Sequence, residues 1–281
     1  MRFAFAPIAF ALFVPMLFAQ GPPAEGKIIV VDLGGNVKLE MVKINAKGKK
    51  FLMGSPKEEA GRNPYEMKFD AEALHEVSFN HDFFLGKFEV TQEQYEAIVG
   101  TNPSYFKGAK NPVETVSWDD AQAFVKKLNA KFKDRMLTFR LPSEAEWEYA
   151  CRAGTTTPFH FGKELNGKQA NSDGTVPYGT TVKGPYLQKT ISVGSYDANA
   201  FGLHDMHGNV YEWCEDYYGE YKAAPKDGIA QKIKQSNDVR VLRGGSWYNG
   251  SRGCRSADRF DVASDFRDNV VGFRVAVTPQ E

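Results

Sequence analysis

The 281-residue chain carries 35 basic and 35 acidic residues, with 42% hydrophobic and 25% charged residues, an ordinary composition for a folded core and not for a disordered chain. Balanced charge without a basic stripe excludes nucleic acid and anionic membrane surfaces as electrostatically selected partners, and leaves a small molecule, a peptide or another protein. The three cysteines, Cys151, Cys214 and Cys254, make no Cys-x-x-Cys pair and no His/Cys group with zinc-finger spacing.

Arg2, the apolar run Phe3–Phe18 and the small Ala19 have the charge, length and ending of a signal peptide over residues 1–19. Pro7 and Pro15 interrupt the run, which is short for a membrane span, so cleavage near Ala19 is expected, giving an exported protein (periplasmic or secreted) without a membrane anchor. Three cysteines in an oxidising compartment predict one disulfide and one free thiol. Residues 20–36 read as a Pro/Gly-rich leader and first strand, and 37–281 as one domain.

Lys27–Asp32, Val37–Asn45, Lys50–Met53 and Glu76–Phe88 are rich in β-branched and aromatic residues broken by Gly34, Gly35 and Gly48, which predicts short strands; Ser55–Asp70 reads as a surface loop. Three capping boxes then open three helices: Thr91 with Gln94, Ser117 with Asp120, and Ser143 with Glu146. The first is expected to stop at Gly100, the second near Phe132 and the third near Arg152. Trp118, Ala121, Phe124, Val125 and Leu128 recur at helical spacing and predict one buried face. Beyond Gly154 the chain turns to Gly, Asn, Asp, Ser and aromatics, with few runs long enough for regular elements. That half must be held by side-chain hydrogen bonds, a disulfide or a metal.

A series of strings spans almost the whole domain: Phe51-Leu-Met-Gly-Ser55, Lys87-Phe-Glu-Val-Thr-Gln-Glu-Gln-Tyr95, Pro112-Val-Glu-Thr-Val-Ser-Trp118, Arg140-Leu-Pro-Ser-Glu-Ala-Glu-Trp-Glu-Tyr149, Gly202-Leu-His-Asp-Met-His-Gly-Asn-Val-Tyr-Glu-Trp213, Arg243-Gly-Gly-Ser-Trp247 and Gly272-Phe-Arg274. In these strings and their order the chain resembles the sulfatase-modifying, formylglycine-generating enzyme family. The resemblance implies an irregular α+β fold related to C-type lectins, with short strands, about three helices and a loop-rich C-terminal half. It also implies structural calcium and a founding activity in which copper, held by two cysteines, turns a sulfatase cysteine into formylglycine. Relatives with other reactions, or serving as accessory domains, show that the fold does not fix the chemistry.

Set against that pattern, Asn249 stands where the first copper-binding cysteine is expected, and an amide cannot replace a thiolate on a soft Cu(I) ion. Cys254 stands at the second position, or in a gapped alignment at a structural one, so copper is not expected. The resemblance implies a Cys151–Cys254 disulfide, and Cys214, among acidic neighbours, reads as a buried free thiol. It places calcium on Asp205, Gly208, Val210 and Glu212; independently, two carboxylates around a Gly-Asn turn can converge on a hard cation, although two solvated acids is the alternative. A second calcium position would begin at Asn171, but its later acidic partner falls on Gly184 and Pro185. His204 and His207 read as packing residues before a metal pair. Ser246, Trp247 and Tyr211 match groove-lining positions of the family, and Arg243, Arg255, Arg259 and Arg274 either order the C-terminal loops or meet an acidic ligand. Whether the chain is an enzyme stays undecided. It is expected to be an exported protein with chemistry other than copper/thiol oxidation, a non-catalytic binding or accessory module, or a formylglycine-generating oxidoreductase with no account of its missing thiol. A deep polar cleft at Asn249 would favour the first and an open surface the second.

Overall fold

The computed structural model describes residues 27–62, 70–134, 137–234 and 238–279; the expected signal peptide, most of the leader and part of the Ser55–Asp70 loop lie outside the described residues. The chain enters a hairpin, β1 (Ile28–Gly34) and β2 (Val37–Ile44), whose turn takes Gly34, Gly35 and Asn36 through positive φ, the left-handed region that glycine and asparagine tolerate. A second hairpin pairs β3 (Lys50–Met53) with β4 (His75–Ser78), and β5 (Phe83–Gly86) returns to lie beside β2.

Helices α1 (Gln92–Val99), α2 (Trp118–Lys131) and α3 (Glu144–Arg152) each begin at the expected residue with a reciprocal capping box. Each box satisfies orphan amide donors that a helix start leaves open, worth about 1 kcal/mol per cap. Gly100 ends α1 in the left-handed region, and α2 ends at Phe132. Ala121, Phe124, Val125 and Leu128 form the buried face of α2, and burying a side chain such as Phe124 contributes roughly 1.5–3 kcal/mol. Between α2 and α3 runs β6 (Leu137–Arg140).

The second half contains β7 (Tyr211–Tyr217), β8 (Val239–Arg243), β9 (Arg259–Ala263), β10 (Val271–Gly272) and β11 (Ala276–Pro279). Strands β10, β7, β8 and β9 form a four-stranded sheet, while among the described residues no helix or strand lies between Arg152 and Tyr211, so this half is loop-rich as expected, with one sheet within it. Strand β7 is hard to read in the sequence because it buries both of its faces, with Glu212 held by Arg274 and Asp216 accepting the Glu144 and Gln231 amides, and its acids mimic a solvated segment. β11 inserts between β5 and β6, antiparallel to both, and completes the five-stranded sheet β1-β2-β5-β11-β6. The last strand thus completes the first sheet. The result is the α+β architecture of short strands and three helices expected above.

Candidate functional site

The groove is built where β8 stops. Gly244 and Gly245 both take positive φ, and a Cβ on Gly245 would meet Cys254 Sγ at 2.6 Å and the Gly253 carbonyl at 2.7 Å, so only glycine lets the chain turn here. The turn delivers Ser246 and Trp247 against β7. Ser246 Oγ donates to Asn249 Oδ1 at 2.6 Å, and Asn249 Nδ2 donates to Tyr211 Oη at 3.0 Å. Trp247 is fixed by its own N–H to the Asn209 carbonyl and by Nε1 to that of Asn269. Around it stand Phe106, edge-on at 5.4 Å, Tyr248, edge-on at 5.5 Å, and Tyr186, stacked at 6.4 Å; Tyr211 stacks on Phe260 at 5.5 Å. Tyr248 and Tyr105 are 64% and 70% exposed, so this aromatic wall opens to solvent. Burial pushes the Tyr211 phenol well above the ordinary tyrosine range, with the nearby Asp258 charge adding to it, so Tyr211 is a neutral donor or acceptor.

The donor set does not fit copper. Cys254 is a free thiol with no exposed surface, raised by burial and then by Asp258, and Asn249 is already engaged at both ends of its amide. The expected Cys151–Cys254 disulfide is also corrected: Cys151, Cys214 and Cys254 are all free and buried. Cys151 Sγ lies 3.6 Å from Ser256 Oγ and 3.7 Å from His207 Nε2, and burial pushes its thiol up to about 12. Burial, then Asp216 and Glu144, raise the Cys214 thiol well above its ordinary range. His207 Nδ1 meets the Cys254 carbonyl at 2.7 Å, and His204 Nδ1 meets that of Tyr196 at 2.8 Å.

The calcium expectation meets a different arrangement. Arg274 grips Glu212 with Nε and Nη2, each 2.6 Å from a carboxylate oxygen, and Trp147 Nε1 adds a third donor at 2.8 Å. Glu212 is thus held inside the fold by three donors. Asp205 accepts from the Gly194 N–H at 2.6 Å, while the Gly208 and Val210 amides donate to the Gly244 carbonyl and to Glu89. Among the described residues no group of three or more His, Cys, Asp or Glu side chains is placed to hold a metal. The loop at Asn171 fits a hard cation better. Asn171 Oδ1, Ser172 Oγ and Asn166 Oδ1 are buried without partners, and a Cβ on Gly174 would collide with the carbonyls of Asn166 and Pro185. These are neutral oxygens, the donor type calcium accepts but holds weakly without carboxylates.

Sequence reasoning missed Glu89. It is fully buried, accepts from Asn209 Nδ2 at 2.6 Å and from the Val210 N–H at 3.1 Å, and is raised well above the carboxylate range by burial and by Asp205 and Glu212. An acid directly after the buried strand β5 was the available signal. The four arginines were left between two roles, and the structure turns all of them inward. Arg243 meets Glu148, Arg255 meets Glu72 and Glu59, Arg259 forks Glu144, and Arg274 forks Glu212, with none of the four more than 5% exposed.

Residues 36–279 match the sulfatase-modifying factor enzyme 1-like domain. The solved structure of PvdO from Pseudomonas aeruginosa is 32% identical, with a TM-score of 0.73, and the match covers 92% of this chain and 100% of that one. The formylglycine-generating enzyme of Streptomyces coelicolor is 34% identical over 174 residues, 59% of this chain and 52% of the relative. The serine/threonine-protein kinase pkn1 of Chlamydia caviae is 32% identical over 266 residues, 84% of this chain; the chain spans only 38% of the kinase's length.

Proposed function

The chain belongs to the sulfatase-modifying factor enzyme 1-like family, and from that premise we propose that it is an exported ligand-binding member which does not perform copper/thiol formylglycine generation. One observation carries this reading: Asn249, which the resemblance puts at the first copper-ligand position, is an amide engaged at both ends, by Ser246 and by Tyr211. The remaining thiol, Cys254, is buried and held protonated, and a thiol that stays protonated is neither a nucleophile nor a Cu(I) ligand. The open aromatic wall supports binding over a closed reaction chamber, because aromatic faces give contact area at low entropic cost. Arg2 and the apolar run after it support export. Calcium, if resident, is assigned to the Asn171 loop, where Asn171 Oδ1 would hold it.

The test is incubation of the protein with copper, oxygen and a peptide carrying the sulfatase Cys-x-Pro-x-Arg motif, read by mass spectrometry. Unchanged peptide is expected, and formylglycine product would overturn the reading. A second reading, catalysis without thiolates, is favoured by Asp258, which burial pushes up to about 7 and whose charge reaches Tyr211. A group poised near neutrality beside a groove is a general acid/base candidate. A mass change in ligands recovered from the protein, absent with Asp258→Asn, would establish it over pure binding.

A further inference from the structure

Next to the aromatic wall lies a depression of about 480 Å3 lined by Phe106, Lys107, Asn111, Lys189, Thr190 and Ser192, among others. Phe106 belongs to both features, since its ring also meets Trp247. The depression is electrically one-sided: two lysines line it and no carboxylate does. Lys107 Nζ gives one hydrogen bond, to the Asn102 carbonyl at 3.0 Å, and among the described residues no acceptor meets Lys189 Nζ. Thr190 is 2% exposed and its hydroxyl has no partner, which leaves a buried donor on the wall. The nearby acid Glu93 is taken by Lys110 at 2.5 Å. Beneath the 189–195 segment, Asn209 bonds both the Ile191 amide and Glu89, whose carboxyl is fully buried away from the depression's surface.

Resting on the groove reading above, we infer that the ligand is an anion-bearing planar molecule, its ring on the Phe106–Trp247–Tyr248 wall and its carboxylate or phosphate between Lys107 and Lys189. The ring supplies the apolar area that the wall needs covered, and the anion supplies acceptors for the two ammonium groups. Because both lysines are exposed, the charge contribution is modest and sensitive to salt.

Calorimetric titration of the full chain at low ionic strength with phenylacetate, phenyl phosphate and benzylamine tests this. At least one anion is expected to bind about tenfold tighter than benzylamine, and which one does identifies the acid group. The preference should vanish in the Lys107→Gln/Lys189→Gln variant, whose melting temperature should be unchanged, while Trp247→Ala should weaken all three probes. Equal, Trp247-dependent binding of anions and amine would overturn the anion assignment and leave the groove reading standing. An anion preference that survives the lysine replacements would overturn its placement. Failure of every probe to bind would overturn both.

Discussion

At the scale of single residues, the centre of the molecule is held by charges that look misplaced in the sequence. Glu89, Asp205 and Glu212 face one guanidinium, that of Arg274, whose Nε and Nη2 go to Glu212 while Nη1 and Nη2 also meet the Gly86 and His204 carbonyls. Asp205 is pushed up to about 6, first by burial, with Glu212 adding to it. An acid raised from its unfolded value of about 3.9 binds its proton more tightly in the folded state, so its contribution is fully present below pH 4. That contribution is lost as pH rises through 6, about 3 kcal/mol at most if the shift is taken whole. The wild-type protein is therefore expected to gain stability between pH 7 and pH 5 in urea titrations. Asp205→Asn should make that dependence shallower, with Asp258 and Asp216, pushed up to about 7 and about 8, supplying the remainder; asparagine suits the position because Asp205 has φ of 56°. A variant as pH-dependent as wild type would refute the assignment. The sequence showed Asp205 and Glu212 as a pair around a Gly-Asn turn, which is true of the chain. It could not show that Arg274, 62 residues beyond Glu212, reaches back to claim one of them.

Among the elements, the helices were the most legible, because a capping box is a local device whose partners lie three residues apart. The strands of the second sheet were not, since their pairing is non-local and β7 alternates buried aromatics with buried acids. A related device protects the five-stranded sheet at β6, its outer strand. Asn129 of α2 donates Nδ2 to the Phe139 carbonyl and accepts the Phe139 N–H on Oδ1, both at 2.8 Å. One amide side chain thus imitates a neighbouring strand and blunts an edge that would otherwise template pairing. Asn129→Ala leaves that amide and carbonyl unpaired in a half-buried place, which should cost about 1–3 kcal/mol in chemical denaturation. A loss below a few tenths would mean that water replaces the side chain without penalty. Asn129→Asp, which keeps an acceptor only, should fall between.

For the whole molecule, the question the composition raised was what holds a loop-rich half together, and the answer is arginine. Arg255 ties Glu59 and Glu72 to a turn almost two hundred residues away in sequence, and Arg259 ties Glu144 and the Ala71 and Gly219 carbonyls to β9. Removing one member of a buried pair strands the other, at roughly 3–5 kcal/mol. Arg255→Ala is therefore expected to lower stability by about that amount and to open the segment around Glu59 to limited proteolysis. A chelator, acting on a weak site of neutral oxygens at Asn171, should lower the melting temperature by only a few degrees, and Asn171→Ala should remove that response. A chelator effect larger than that of Arg255→Ala would reverse the ranking. The position of β11 has a further consequence, for the time course of synthesis. Its partners β5 and β6 are made early, yet they must wait for Ala276–Pro279 before they have anything to pair with in the middle of the sheet. The first sheet therefore stays open in the nascent chain until β11 has been made. That is the state in which a polypeptide can be threaded through a translocation channel.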